Sequence, residues 1–227
     1  MRKFFSYIKY FFYLAINWNV KIASYIIVQE IKGEKKYGIT TTGADELKSL
    51  EKNGIEIDHA TIYMPVNYGI LEDIFQQLKI KESSHFLDIG CGKGRAICVA
   101  ANKGFAKVSG IDFSKEFCFA AEKNLNITKQ KFPQLQFKII NNDAFYFEIP
   151  NDVDFIFMFN PFDEIIMDAV AENILESFEL APRTITLIYA NPLYKQELLE
   201  VGFKETYHTQ KMKYLEAVIL KLATPES

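Results

Sequence analysis

Residues Phe86-Leu87-Asp88-Ile89-Gly90-Cys91-Gly92-Lys93-Gly94-Arg95 constrain the fold of this chain more than any other segment. An apolar run ends in a carboxylate, turns through three glycines and opens the helix-forming stretch Lys93 to Lys103. Glycine is needed in such a turn where the backbone approaches a ligand or adopts dihedrals closed to side chains. The surroundings extend the pattern. KVSGID, LQFKII, DFIFMF and TITLIY read as buried strands, with helices predicted from Ser114 to Lys131 and from about Asp163 to Leu180. Serial strand–helix–strand units imply an α/β fold with a doubly wound, mostly parallel sheet. In that architecture the glycine turn lies at the carboxyl end of the strands, where ligands bind. The last segments, GFKETYH and KYLEAVILKL, alternate in hydropathy and predict an antiparallel C-terminal hairpin joined by His208 to Met212.

The start of the chain is different. Phe4, Phe5, Ile8, Phe11, Phe12, Ala15 and Ile16 recur at helical spacing, and Ile22, Ile26, Ile27 and Ile31 continue the stripe. Lys9 interrupts the apolar run, no small-residue cleavage site follows, and the uncharged stretch Tyr10 to Val20 is too short to span a bilayer. Residues 1–36 carry seven Lys/Arg against two Glu, whereas the remainder carries nineteen against twenty-seven. The acidic body argues against nucleic-acid binding driven by charge alone. The basic aromatic helix is expected to pack on the main domain or on a second copy, making a homodimer contact. Docking to a membrane surface through residues 1–31 is the alternative, and a lid or substrate-recognition role a third. Lys32 to Gly43 reads as a loop, Ala44 to Lys52 as a short helix, and Ile70, Leu71, Ile74, Phe75 and Leu78 as one face of a helix after Pro65. The division expected is a helical extension and loop over 1–58 and a ligand-binding domain over 59–227. Three cysteines make no disulfide framework, so a reducing, cytoplasmic setting is expected. The three histidines are widely separated, and no metal site is expected.

Which nucleotide suits the glycine turn can be argued from the residues. A dinucleotide fingerprint is G-x-G-x-x-G, but here the third glycine comes one residue early and Arg95 stands where glycine belongs. Asp88 would repel a pyrophosphate and attract a cationic amino acid head group. At the end of the second strand, Asp112 can accept both hydroxyls of a ribose, although it could also cap the next helix, for which Ser114 is better suited. The glycine spacing with Arg95, and Asp88, move the balance from NAD towards S-adenosyl-L-methionine; Asp112 suits either nucleoside.

The string from Asp88 to Gly94 resembles motif I of the class I S-adenosylmethionine-dependent methyltransferases, and the resemblance continues from about Tyr63 to Leu222. It implies a Rossmann-like fold, with a mostly parallel seven-stranded sheet whose seventh strand inserts between the fifth and sixth, plus the N-terminal helices. It also implies S-adenosyl-L-methionine as cofactor. The binding residues implied are Asp88, Gly90, Cys91, Gly92 and Gly94, then Asp112 with Phe113 on the ribose. Asn142, Asp143 and the Ala144 backbone would hold the adenine. Asn160-Pro161-Phe162 is similar to the Asn-Pro-Pro-aromatic signature of amino-methylating enzymes, with one proline missing. On that likeness Asn160 and the Pro161 carbonyl orient the acceptor, Asn160 also borders the cofactor, and Phe113, Phe145 and Phe162 shield it. Tyr63-Met64-Pro65 together with the Asn160 loop resembles, distantly, the non-SET histone-lysine methyltransferases, without their basic extension. Tyr63 and Tyr68 are then candidates at the mouth of the pocket. The function implied is methyl transfer to an unidentified acceptor, nitrogen before oxygen. The alternative is a catalytically silent S-adenosylmethionine-binding scaffold that uses its N-terminal helix to reach a partner or membrane.

Overall fold

The computed structural model describes residues 2–42, 64–159 and 162–224. One seven-stranded sheet has the order β3-β2-β1-β4-β5-β7-β6. Its strands are β1 (His85–Ile89), β2 (Lys107–Asp112), β3 (Gln136–Asn141), β4 (Phe155–Phe159), β5 (Ile185–Ala190), β6 (Lys204–Lys211) and β7 (Leu215–Leu222). The first five are parallel, and β7 runs antiparallel to β5 and to β6. The expected order and hairpin are therefore present.

Two cores follow from the two-residue period of the strands. On one face Phe86, Phe155, Phe157 and Ile188 pack under α3 (Tyr68–Phe75), α4 (Arg95–Asn102) and α5 (Lys115–Lys131). Phe75, Phe86, Phe105, Phe155 and Phe157 form a chain of ring contacts there, which accounts for part of the chain's high phenylalanine content. The alternate residues Leu87, Ile156, Met158 and Leu187 face α6 (Glu164–Leu180) and α7 (Lys195–Glu200) on the other side.

Several boundaries differ from the sequence reading. The N-terminal stripe is not one helix: α1 (Arg2–Asn17) and α2 (Val20–Tyr37) are separated at Asn19, whose side chain accepts the Ile22 N–H at 3.0 Å and starts the second helix. Residues 32–37 are helical rather than loop, because α2 ends only where Gly38 takes the left-handed conformation (φ 77°). The hairpin turn lies later than expected, at Met212 and Lys213 with φ of 53° and 70°. Helix α7 carries too short an apolar pattern to be seen in the sequence. The expected helix at 44–52 and the boundary at residue 58 lie outside the described residues.

Helix α2 is held to the body by a buried polar joint. Arg95 Nη1 and Nη2 donate to the two oxygens of Glu30 at 2.6 and 2.5 Å, Nε donates to Thr41 Oγ1 at 2.8 Å, and Nη1 also donates to the Val66 carbonyl. Glu30 is fully buried and Arg95 nearly so. The guanidinium carbon lies 4.1 Å from the Tyr68 ring centroid, and Tyr68 in turn stacks on Tyr37. One turn on, Glu34 accepts the N–H groups of Thr41 and Thr42 and the hydroxyls of Thr42 and Tyr7. Burial would raise its pKa, but these donors, Thr42 foremost, bring the carboxyl below its ordinary value. Gly33 is the contact point: a Cβ there would fall 2.2 Å from Tyr68 Cδ2. The stripe expected to pack on the body does so at Ile22 and Ile26 of α2, but none of its α1 residues is buried; the buried face of α1 is a different one. Tyr10 and Leu14 of α1 are buried against Ile22, Ala23 and Ile26, while Phe4, Phe5, Phe12 and Ile16 remain exposed.

Removing one member of a buried ion pair strands the other charge, at a cost of about 3–5 kcal/mol, whereas replacing both with apolar residues is often neutral. Arg95→Met is thus expected to lose about that much in denaturant unfolding, and Glu30→Met/Arg95→Met to recover most of it. A double variant no more stable than the single one would show that the joint acts through its hydrogen bonds and not through the unpaired charge.

Candidate cofactor and acceptor sites

Strand β1 leads into the glycine turn at the carboxyl edge of the sheet. The N–H groups of Gly90 and Cys91 both donate to the Ile111 carbonyl, at 3.0 and 2.8 Å, which folds the turn back over β2. Gly92 (φ 51°) and Gly94 (φ 76°) occupy the left-handed region. A Cβ at Gly94 would also meet the Ala121 Cβ at 3.0 Å, so the turn closes directly on α5. Asn124 of α5 donates to the Lys93 carbonyl at 2.9 Å and to Thr40, linking the turn to the segment that follows α2.

Asp88 and Asp112 are brought together behind this turn, both buried. Asp112 Oδ2 accepts the Gly92 N–H at 2.8 Å and Oδ1 accepts the Ser114 N–H at 2.9 Å, while Ser114 caps α5. The capping role weighed for Asp112 thus falls to Ser114, and Asp112 holds the glycine turn instead. Burial lifts the Asp112 pKa to about 6, against the pull of the two N–H donors. Burial, and then repulsion from Asp112, push Asp88 well above the carboxylate range. The Cys91 thiol is raised too, first by burial, and all three cysteines are reduced and buried.

At the end of β3, Asn141 donates to the carbonyls of Asp112 and Phe113, tying the two strand ends together. Asn142 and Asp143 follow as exposed residues; Asp143 Oδ1 accepts the Phe145 N–H and starts the short 3₁₀ turn Ala144–Tyr146, in which Ala144 is buried. Phe113 and Phe162 are half-buried and Phe145 is more open. Asp88, Gly90, Cys91, Gly92, Gly94, Asp112, Phe113, Asn142, Asp143 and Ala144 therefore share one sheet edge. Tyr63, Asn160 and Pro161 lie outside the described residues.

Residues 86–180 match the family model described as a methyltransferase domain. That stretch is thus a methyltransferase domain. Solved structures give the same fold. A S-adenosylmethionine-dependent methyltransferase from Aquifex aeolicus superposes with a TM-score of 0.53 at 20% identity, over 66% of this chain and 88% of that one. A S-adenosylmethionine-dependent O-methyltransferase from Thermotoga maritima gives 0.52 at 17%, over 73% and 69%. A glycopeptide N-methyltransferase complexed with S-adenosylmethionine gives 0.53 at 12%, over 69% and 93%. No curated protein matches the chain.

Around this methyltransferase domain the arm builds what the sequence did not disclose. A cavity of about 240 Å³ lies beyond the carboxyl ends of β4 and β5, where Phe159, Ala190 and Asn191 meet Tyr10, Trp18 and Ile26 of the arm. Asn67 also lines it. Asn67 Oδ1 accepts the N–H groups of Gly69 and Ile70 at the start of α3, but its Nδ2 is buried and has no partner among the described residues. Asn191 holds φ 50°, an uncommon conformation that marks functional loops more often than average. Tyr68, a candidate for the mouth of the pocket, is instead buried between Arg95 and Tyr37, its hydroxyl within 3.1 Å of Thr41; burial raises its pKa to about 12, so it is a packing residue. Arg95, read as the residue that excludes a dinucleotide, is spent on Glu30. Among the described residues no group of His, Cys, Asp or Glu is arranged to hold a metal ion.

A carboxyl whose pKa is raised by folding stabilises the chain most when protonated, and that contribution fades as pH rises through about 6. A ligand that needs the Asp88 and Asp112 anions behaves in the opposite sense. The rise in melting temperature caused by saturating S-adenosylhomocysteine is therefore expected to be larger at pH 7.5 than at pH 5. Scanning calorimetry at the two pH values, with and without the ligand, measures it; an equal rise would separate the carboxyls from binding.

Proposed function

We propose that this methyltransferase transfers its methyl group to a nitrogen of an apolar acceptor seated in the cavity between the N-terminal arm and the ends of β4 and β5. The observation that carries the reading is the position of that cavity, on the same sheet edge as the glycine turn and bordered by Phe159, the residue before Asn160-Pro161. Its lining by Tyr10, Trp18, Ile22, Ile26 and Leu215 suits an acceptor with a hydrophobic or aromatic body. The Asn67 amide offers an unused donor to a polar group on it. When bound, S-adenosylmethionine supplies a methyl group on a sulfonium centre.

The residues fit that cofactor. The left-handed glycines let backbone approach it without a Cβ. Asp112 has lone pairs beyond those used by Gly92 and Ser114 with which to accept ribose hydroxyls. Asp88 supplies a negative charge for the amino acid ammonium. Asp143 Oδ2, with Oδ1 engaged on Phe145, and the neighbouring Asn142 and Ala144 are assigned to the adenine. Asn160 and the Pro161 carbonyl are assigned to orienting the acceptor nitrogen, and Tyr63 to the mouth of the site, from their sequence positions. Methyl transfer asks little covalent work of the protein; holding the reactants in line in a water-poor pocket lowers the barrier by as much as about 7–11 kcal/mol. The solved folds span N- and O-methyltransferases, so the nitrogen preference rests on the Asn160 loop.

Transfer of labelled methyl from S-adenosylmethionine to a metabolite and lipid extract tests the reading. Gly92→Val is expected to abolish cofactor binding, and Asp112→Ala to weaken it by about 1.5–3 kcal/mol in calorimetry. Leu215→Trp, which fills the acceptor cavity, is expected to leave cofactor affinity unchanged and stop transfer. Full transfer by Leu215→Trp would move the acceptor elsewhere. Binding without transfer to any fraction by the wild-type chain would favour a silent scaffold.

A further inference from the structure

Helix α1 keeps half of its apolar stripe uncovered. At 100° per residue, Phe4, Phe5, Ile8, Phe12 and Ile16 fall within about 120° of its circumference. Phe4, Phe5 and Ile16 are 66%, 64% and 81% exposed. On α2, Val20, Val28 and Ile31 are exposed as well. So large an aromatic face on the outside of a body marks a binding surface. Its charge says what it meets. The two carboxylates of residues 1–36, Glu30 and Glu34, are both buried in the joint with the body, so the arm's outer surface is left to cations. Lys9, Lys21, Lys32 and Lys35 are exposed around the apolar face. The rest of the chain is acidic and would be repelled by an anionic surface, which leaves the arm as the side that approaches one. Pairing α1 with α1 of a second copy would instead press two cationic arms together with no exposed carboxylate on either. No helix among the described residues is long and apolar enough to cross a membrane, so the helix would lie on the surface rather than span it.

We propose that α1 and α2 form an interfacial element that docks this protein on anionic membranes, with the Phe4-Phe5-Phe12-Ile16 face entering the headgroup boundary and the lysines at the phosphates. Trp18, the single tryptophan, sits at the end of α1 and lines the cavity, so the docked face adjoins the entrance proposed for an apolar acceptor. The docking itself does not depend on the methyl-transfer reading and is tested without cofactor or acceptor.

The full-length chain is mixed with vesicles of phosphatidylcholine alone or with phosphatidylglycerol, and binding is read by flotation and by Trp18 emission. Binding to the anionic vesicles, a blue shift of Trp18 and loss of both at high salt are expected. Phe12→Asp/Ile16→Asp alters only exposed positions, so its melting temperature should match wild type while vesicle binding falls about tenfold or more. Lys9→Glu/Lys21→Glu should weaken binding to anionic vesicles only. The proposal is overturned if the wild-type chain stays free of anionic vesicles, if it binds neutral ones equally, or if Phe12→Asp/Ile16→Asp binds undiminished. It is also overturned if sedimentation shows a wild-type dimer that this double variant dissociates while vesicles bind neither form.

Discussion

The buried pair between Glu30 and Arg95 is the joint on which the arrangement of this protein turns. Arg95 is the first residue of the helix that follows the glycine turn, so its backbone continues that turn while its guanidinium belongs to the arm. A planar, five-donor head can satisfy Glu30, Thr41 and Val66 at once and still stack on Tyr68, which a lysine could not do. Burying a charge is unfavourable unless it is paired and hydrogen-bonded, and here every partner comes from a different stretch of chain. The pair thereby fixes where α2 sits relative to the sheet edge. From that position follow the placement of Thr40 and Thr41 beside the glycine turn and of Ile22 and Ile26 over the ends of β4 and β5.

The division of labour at the sheet edge is electrostatic. Two carboxyls sit behind one glycine turn in a dry environment, where burial disfavours the ionisation of both and the Asp112 charge adds to the effect at Asp88. The backbone donors of Gly92 and Ser114 offset this at Asp112 only in part, whereas Asp88 gains no comparable relief among the described residues. On the function proposed above, a cationic, hydroxyl-bearing ligand would supply the counter-charge to Asp88 and the donors to Asp112. The same chemistry makes the site a poor host for a pyrophosphate, which is the physical content of the distinction between this glycine turn and a dinucleotide fingerprint.

The arm has two faces with different physics. Its inner face is aromatic and aliphatic with carboxylates at its centre, closing a cavity whose other wall is the methyltransferase sheet edge. Its outer face is aromatic with cations at the border. Because both Glu side chains of the arm are drawn inward, folding itself sorts the charges and leaves the outside basic. The closure of the cavity and the character of the outer surface are therefore consequences of the same joint.

Most of the sheet was legible in the sequence because β1, β2, β4 and β5 are short buried runs, because helices separate the strands from β1 to β3 and from β4 to β6, and because the C-terminal pair alternates in hydropathy. The glycine turn, Asp88, Asp112 and Asn142-Asp143-Ala144 were legible for the same reason: parallel topology sends every strand's carboxyl end to one edge, so residues at those ends must converge. Helix ends were less so, since the apolar stripe of the arm runs on past the break that Asn19 makes, and residues 32–37 have helical polarity without apolar period. What only the tertiary structure decided was the work of the long-range partners. Local pattern could place Arg95 after the turn but not reveal that its partner lies sixty-five residues earlier, nor that Tyr68 is locked beneath it. It could mark the arm as amphipathic, but whether an apolar face is covered depends on what the rest of the chain brings to it. Here the body and α2 cover Tyr10 and Leu14 and leave Phe4, Phe5, Phe12 and Ile16 to the outside, a division that no periodicity encodes.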